Sequence, residues 1–304
     1  MNEGGKCFMK VGKHKFDKLD IFIFLLMIFI MIITIYPFLN VLAISFNDAN
    51  DTIKGGIHIL PREFTLSNYK EIFSGSSNLK QGLIISILRT VIGTALGVIS
   101  SAMVAFVLSK REFVFNKIVT VLFVLTMYIS GGLIPEYMVI RELGLVNRFS
   151  VYILPGLISA FNVIVIRSFI DGLPPALNES AMIDGANDFV IFFKIILPLC
   201  MPVIATVALF IAVSQWNSWF DTYLYARTNE GLTTLQYELM KVMDNAAGQA
   251  MADPNNPLVQ AASGVNPESI KMAITMVATV PILLVYPFVQ KYFVSGMTLG
   301  AVKS

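Results

Sequence analysis

Residues 173–202 read LPPALNESAMIDGANDFVIFFKIILPLCMP and lie between two long apolar runs. Pro174 and Pro175 suit the first turn of a helix, where the amide hydrogen that proline lacks would have no partner in any case. Residues 176–184 favour helix, and Gly185 is a typical residue just past a helix end. The stretch therefore predicts a short helix that ends at Gly185 and connects two apolar segments.

A second helix is predicted directly after the first, with Asn187 or Asp188 as its N-terminal cap. Its apolar side chains recur at positions i, i+3, i+4 and i+7, which is the spacing of one helix face. These positions are Phe189, Phe192, Phe193 and Ile196. We expect this stripe to anchor the loop beneath a helical bundle, and Pro198 to end the helix.

The first of these helices is short and rich in small residues. Small side chains allow another surface to approach a helix backbone closely. We interpret this helix as a docking element for another protein; the alternative is an amphipathic helix that only lies on the membrane surface. The small residues and their neighbouring carboxylates are Ser180, Ala181, Gly185, Ala186, Glu179 and Asp184.

The composition is that of an integral membrane protein. Of 304 residues, 56% are hydrophobic and 14% charged, with a mean hydropathy of +0.71, whereas soluble domains carry about 25% charged residues. The net charge of +2 does not suggest nucleic-acid binding. Cys7 and Cys200 form no disulfide framework, and His14 and His58 are too few for a metal cluster.

Six apolar runs are each about long enough to cross a bilayer, which needs about 20 residues of helix. The third run could extend to residue 140, the fifth begins near Leu199, and Arg89 interrupts the second. The runs are residues 21–47, 81–109, 118–135, 149–166, 195–220 and 272–290.

Basic residues indicate the orientation of these spans, because cytoplasmic segments of membrane proteins are enriched in Lys and Arg. With both termini inside, the cytoplasmic pieces hold Lys6, Lys10, Lys13, Lys15, Lys18, Lys110, Arg111, Lys117, Arg167, Lys194, Lys291 and Lys303. The docking element then faces the cytoplasm. We expect a cytoplasmic segment 1–20, a first transmembrane helix 21–47, an extracellular connection 48–80, a five-helix core 81–290 with a cytoplasmic loop 171–198 and an extracellular loop 221–271, and a cytoplasmic tail 291–304.

Arg89 has two interpretations: a side chain that reaches the headgroups from the outer end of the second span, or a contact between helices or along a pore. In the same span, Gly93 and Gly97 are four residues apart, a spacing that allows close helix packing. Pro37, Pro135 and Pro155 are candidate kinks in the first, third and fourth spans.

The outer end of the fifth span also has two interpretations. Its two tryptophans are typical of an aromatic belt at a membrane interface. Aromatic faces beside amides and a carboxylate equally suit a sugar on the substrate path. The residues concerned, together with Arg89, are Gln215, Trp216, Asn217, Trp219 and Asp221.

Both predicted extracellular pieces are polar connections without a core of their own. We predict a surface helix at residues 66–73 in the first, and a helix at 233–243 followed by a loose segment at 245–267 in the second.

The sequence lacks the usual signatures of catalysis. It has no G-x-x-x-x-G-K-[ST], no nucleophile elbow and no metal-ligand spacing, so we expect neither an enzyme nor a bound cofactor. The spans hold almost no acidic residues, which an ion-coupled carrier usually needs. A secondary, ion-coupled transporter is therefore the weaker alternative to a transporter whose energy comes from a partner.

The spacing of the loop resembles the EAA loop of ABC importer permeases of the type I, carbohydrate group, the MalG and LplC kind. Glu179-Ser180-Ala181 is followed after three residues by Gly185, and after nine more by Ile195 and then Leu197-Pro198. Ser180 stands where the family usually has alanine. Residues 215–221, together with Leu235-Gln236, resemble the LplC-like sugar permeases of Gram-positive bacteria, as do residues 290–304.

This resemblance implies a six-span MetI-like permease fold in the plasma membrane and import of oligosaccharide or polysaccharide fragments by alternating access. The implied partners are a second related permease, two ATPase subunits that bind the ATP, an extracellular sugar-binding lipoprotein and membrane lipid. The residues from Glu179 to Ala186, with Ile195, Leu197 and Pro198, would couple the spans to an ATPase.

Overall fold

A computed structural model describes residues 18–74, 78–110, 112–252 and 267–301. The predicted N-terminal segment up to residue 17, with Cys7 and His14, lies outside the described residues, as do Arg111 and residues 253–266 and 302–304. The α-helices are α1 (Lys18–Ser45), α2 (Ala49–Thr52), α3 (Ser67–Ser74), α4 (Leu79–Ser109), α5 (Asn116–Tyr128), α6 (Leu133–Glu142), α7 (Ala160–Ile170), α8 (Ala176–Ile183), α9 (Asp188–Ile191), α10 (Leu197–Leu199), α11 (Met201–Asn217), α12 (Phe220–Tyr225), α13 (Leu235–Ala252) and α14 (Pro267–Ala301).

Three described helices are long and apolar enough to cross a membrane: α1, α4 and α14, the last over Glu268–Val285. Two bent pairs could each form a further span, α5 with α6 and Asp188–Leu199 with α11, which makes up to five. Helix α7 is apolar but has only 11 residues. The all-helical membrane fold is confirmed, and the count of six spans stays a prediction.

The third and fourth apolar runs are not continuous helices, so the simple spans predicted there are wrong in form. Helix α5 ends at Tyr128, and α6 turns away from it by 119°. Gly132 lies in this break with φ of +87°, a backbone conformation that glycine adopts without steric cost. The fourth run begins with a short 3₁₀ turn at Phe149–Tyr152, and its helix starts only at Ala160.

Helix α4 is the centre of the bundle and packs against α7 and α11. A Cβ atom added at Gly93 would lie 2.9 Å from Nε2 of Gln215, and one at Gly97 would lie 3.2 Å from Cδ1 of Ile211. The two glycines therefore permit the close approach of α4 and α11, and the predicted packing role of their spacing is confirmed.

Helix α1 packs along α14 and is otherwise exposed. Pro37 lies inside it, and the helix continues past the proline to Ser45. A helix that is apolar on all sides and uncovered by protein is suited to lipid contact. Of the three long helices, α1 is therefore the least enclosed by the rest of the chain.

A buried polar cluster orders the connection after α1. The Asn47 side chain accepts hydrogen bonds from the backbone nitrogens of Arg62 (2.8 Å) and Glu63 (2.9 Å), and Asn68 donates to the Asn47 carbonyl (2.9 Å). Arg62 Nε also pairs with Asp51 at 2.9 Å. The hydrogen bond from Asn47 holds the pKa of Asp51 below its usual value of 3.8.

The helices predicted in the two polar connections are confirmed, as α3 and as the first part of α13. The loose segment predicted at residues 245–267 is wrong for its first part, because α13 continues to Ala252. Its remainder up to residue 266 lies outside the described residues.

Candidate functional site

The short helix predicted from the two prolines forms as α8. Pro175 occupies its N-terminal cap position, and Gly185 follows its end with φ of +78°. The Ala186 amide donates to the Ala181 carbonyl (2.9 Å) and the Gly185 amide to the Met182 carbonyl (3.0 Å). These two bonds are the glycine-dependent stop motif of helices, so the local sequence fixes where the helix ends.

Helix α8 presents two different faces. Ala181 is buried, and packs into the main core cluster. The opposite side is open: Ile183 is 86% exposed and Met182 is 48% exposed. Ala181 thus allows close approach to this chain's own bundle, whereas the surface free for another protein carries large apolar side chains beside Glu179, Ser180, Asp184 and Gly185.

The second helix has the predicted cap, since the Asn187 side chain accepts a hydrogen bond from the Val190 amide. The predicted four-residue stripe is wrong at two positions. Phe192 and Ile196 are buried, while Phe189 is 66% and Phe193 is 46% exposed.

The cause is a π-helical segment at Phe192–Ile196. Its hydrogen bonds connect residues five apart, so the buried face repeats at Ile191 and Ile196 and not only at the spacing of an α-helix. Phe192 contacts Phe106 of α4 with ring centroids 5.5 Å apart. The loop is anchored as expected, by a partly different set of side chains. The predicted helix end at Pro198 is wrong by one residue, because the helix continues through this proline to Leu199.

Two polar contacts tie this end of the bundle together, and the sequence had not indicated either. The Lys110 ammonium, after α4, forms an ion pair with Asp188 of α9. The Arg167 guanidinium of α7 donates to Thr120 (2.6 Å) and Asn116 (3.1 Å) of α5. The loop therefore connects to α4 directly, and α5 is held to α7.

Arg89 lies at the opposite end of α4 and is 2% exposed. It forms an ion pair with Asp221 at 2.5 Å, donates to Gln215 at 3.0 Å, and lies 4.4 Å from the centroid of the Tyr152 ring. The interhelical interpretation of Arg89 is thereby confirmed and the snorkelling one is wrong. Arg89 thus cross-links α4 to Gln215 near the end of α11 and to Asp221 of α12.

The two tryptophans at this end have different surroundings. Trp216 is 7% exposed and donates its indole hydrogen to the Ala278 carbonyl of α14 at 2.9 Å, so it packs between helices and presents no open face to a membrane interface or a sugar. Asn217 is exposed. Trp219 is half-buried and contacts Phe220 with ring centroids 5.7 Å apart. A role of Asn217 and Trp219 on a substrate path stays a prediction.

Comparison with known proteins places the chain among transport permeases. It is 38% identical over 286 residues to the polygalacturonan/rhamnogalacturonan transport system permease protein YtcP of Bacillus subtilis, covering 93% of this chain and 98% of that protein. It is 39% identical over 275 residues to protein LplC of Bacillus subtilis, covering 89% and 90%. No protein-family model matches the chain.

A solved structure has the same fold. A chain in the crystal structure of a bacterial ABC transporter involved in the import of the acidic polysaccharide alginate matches with a TM-score of 0.78 at 26% identity. The match covers 90% of this chain and 96% of the other. The bent third span and the loop between α7 and α11 therefore occur within a fold used by ABC importers.

Proposed function

The chain belongs to the family of ABC sugar-transport permeases, and from this premise we propose how it couples to its partners. It is the membrane-spanning subunit of an ATP-driven sugar importer, and ATP hydrolysis belongs to a separate chain. We propose that an ATPase subunit docks on the exposed face of α8 and that this face lies in the cytoplasm, with both chain termini on the same side.

The observation that carries this proposal is the two-faced structure of α8. Ala181 joins the helix to the core, while Ile183, at 86% exposure, lies on the open side next to Glu179. Exposing an isoleucine to water is unfavourable by about 1.5–3 kcal/mol relative to burying it. A protein cleft that covers Ile183 and Met182 would recover part of that energy and would hold α8 firmly.

We propose that the assembly also contains a second related permease, two ATPase subunits and an extracellular sugar-binding lipoprotein. The structure of α5 supports a further membrane partner. No residue of α5 is buried within this chain, although the helix is strongly apolar, and Tyr128 at its end is 82% exposed. A second permease packed on α5 would shield the peptide groups of the adjoining break from lipid.

The proposed substrate is an oligosaccharide released from a polysaccharide. The names of YtcP and of the alginate transporter, both of which concern polysaccharides, support this size class. The mechanism is alternating access: ATP-driven closure of the ATPase pair moves α8, and the attached helices open the path to one side of the membrane at a time. Alternative coupling to an ion gradient finds no support among the relatives.

The direct test is reconstitution of the chain with its partner subunits in proteoliposomes, with uptake of galacturonate oligosaccharides and of neutral galactose oligosaccharides measured with and without ATP. Uptake that needs ATP and the binding protein supports the proposal. Uptake driven by a proton or sodium gradient without the ATPase contradicts it.

Glu179→Lys tests the docking face. Reversing the charge on the open side of α8 should weaken co-purification of the ATPase at least about tenfold, because an interface charge placed opposite a like charge is costly. Glu230→Lys, an exposed charge at the opposite end of the bundle, is the matched control. Equal co-purification of both variants would remove α8 from the interface.

A substitution at Gly185 can distinguish an effect on backbone geometry from an effect on docking. Its φ of +78° favours Gly or Asn, and no atom lies within 4 Å of an added Cβ. Gly185→Asn should therefore preserve the helix end within this chain yet place a side chain on the docking face. We expect lost uptake and lost coupling of ATP hydrolysis, with sugar capture by the binding protein unchanged. Full transport by this variant would contradict the assignment.

A further inference from the structure

The break in the third span opens onto a cavity of about 740 Å³. Its volume falls in the range of about 300–1,000 Å³ that is typical of small-molecule sites. The walls are formed by the break, one face of α6 and two segments of the following connection: Ser130, Gly131, Gly132, Pro135, Glu136, Val139, Ile140, Leu143, Leu145, Leu154 and Pro155. None of these residues takes part in the docking face described above.

The break follows a helix that is too short to cross the hydrocarbon core by itself. Helix α5 has 13 residues and so rises about 20 Å, short of the roughly 30 Å thickness of the hydrocarbon core. Irregular backbone within that core is tolerated only where protein covers it or water reaches it. In the described part of the chain, the Gly132 carbonyl accepts from the Glu136 amide, while no hydrogen bond ends on the carbonyls of Ser130 or Gly131.

One face of α6 supplies the remaining wall, at helical spacing. Pro135, Val139 and Ile140 provide apolar surface, and Glu136 is the only ionisable side chain among the lining residues. Tyr225 lies beside Glu136: burial, followed by the charge of this carboxylate, raises the pKa of the tyrosine. The cavity thus combines free peptide carbonyls, one carboxylate and aliphatic walls.

We propose that this cavity binds a sugar unit of the transported saccharide, an inference that rests on the proposed function. The Glu136 carboxylate and the carbonyls of Ser130 and Gly131 are hydrogen-bond acceptors, and sugar hydroxyls are donors. The apolar face of a pyranose ring packs on Pro135 and its aliphatic neighbours. Because Glu136 repels a second carboxylate, the site accepts a neutral, hydroxyl-bearing unit and disfavours a uronate.

The first experiment measures water access and occupancy in the complete transporter. Ser130→Cys lines the cavity, whereas Met138→Cys lies on α6 but not among the lining residues and is 57% exposed. Both variants carry Cys7→Ser. The parent protein with Cys7→Ser alone is the negative control for labelling at other positions. We expect a membrane-impermeant maleimide to label Ser130→Cys at a rate that saccharide lowers, whereas saccharide should leave the reactivity of Met138→Cys unchanged. In the ATP-trapped transporter, saccharide at a concentration of ten times its Kd should slow the labelling of Ser130→Cys about tenfold.

The second experiment measures selectivity in the reconstituted transporter. Glu136→Gln keeps the size of the side chain and removes its charge, and Glu142→Gln, outside the cavity on the same helix, is the matched control. Initial uptake rates are compared for tetragalacturonate and a neutral galactose tetrasaccharide. We expect the acidic-to-neutral ratio to rise about tenfold in Glu136→Gln, equivalent to 1.4 kcal/mol, and to stay unchanged in Glu142→Gln.

Each other outcome overturns the proposal in an identifiable way. A cysteine at Ser130 that never reacts means that a partner chain fills the cavity, and one that reacts only with a membrane-permeant reagent means that lipid does. Labelling unaffected by saccharide, or an unchanged uptake ratio, also contradicts it, and leaves the proposed function intact if the wild-type transporter imports sugar. Failure of the wild type to import either sugar with ATP overturns both.

Discussion

The ion pair between Arg89 and Asp221 predicts an unequal response to removal of its two partners. The Arg89 side chain is 2% exposed and the Asp221 side chain is 22% exposed. Asp221→Asn leaves a positive charge enclosed in the bundle. Arg89→Met leaves a carboxylate that still reaches solvent and still accepts a hydrogen bond from the Thr222 amide at 2.8 Å.

The magnitudes follow from these surroundings. Removing one partner of a buried ion pair costs about 3–5 kcal/mol. Gln215 and the Tyr152 ring still contact the guanidinium in Asp221→Asn, so we expect a loss near the lower end, about 3 kcal/mol. For Arg89→Met we expect about 1–2 kcal/mol, because the remaining carboxylate is partly hydrated.

The assay is equilibrium unfolding of the purified permease in mixed detergent micelles, followed by tryptophan fluorescence. Both tryptophans, Trp216 and Trp219, lie within six residues of Asp221 and report on this end of the bundle. Arg148→Met, which removes an exposed arginine, is the control and should change the unfolding free energy by less than about 0.5 kcal/mol.

A double variant completes the test. Arg89→Met combined with Asp221→Asn removes both charges, and its loss should be smaller than the sum of the two single losses by about 2 kcal/mol. Additive losses, or a larger loss in Arg89→Met than in Asp221→Asn, would refute the reasoning. That reasoning is that an unpaired, buried guanidinium destabilises the fold more than an unpaired, partly hydrated carboxylate.

Gly93→Leu should lower the unfolding free energy by about 1–3 kcal/mol, because its side chain meets Gln215, whereas Gly156→Leu has open space and should cost less in the same assay. Trp216→Phe removes the hydrogen bond from the indole to the Ala278 carbonyl of α14 and should cost about 0.5–1.5 kcal/mol; an unchanged midpoint would contradict this. Because its pKa is lowered on folding, Asp51 stabilises the connection after α1 above pH 3.8, and that contribution is lost as the pH falls through the lower folded value. Amide exchange across residues 46–68, corrected for intrinsic rates, should show acid loosening in the wild type and a smaller pH effect in Asp51→Asn.

The local signals in the sequence predicted the loop well. Two prolines and Gly185 act through backbone chemistry that needs no tertiary context, and α8 begins and ends where they indicate. The long charge-free runs likewise predicted α1 and α4 to within a few residues, because the cost of placing a charge in hydrocarbon is a local property of the segment.

Features that depend on packing were not predictable in the same way. Hydropathy counts apolar residues whether their backbone is helical or not, so the break at Gly131 and Gly132 was hidden within an apolar run. The π-helical segment at Phe192–Ile196 changed which faces are buried. The pairing of Arg89 with Asp221 joins residues 132 positions apart, and the sequence supplied both candidates but not their contact.

The bend at Cys200 has a mechanical consequence. The segment Asp188–Leu199 meets α11 at 84°, and its 12 residues give it a length of about 18 Å. If this segment moves as a rigid body, a tilt of about 10° at the buried bend displaces its N-terminal end by about 3 Å. A small displacement of α8 could thus rotate α11. The stiffness of the bend at Cys200 would determine how much of that displacement reaches α11.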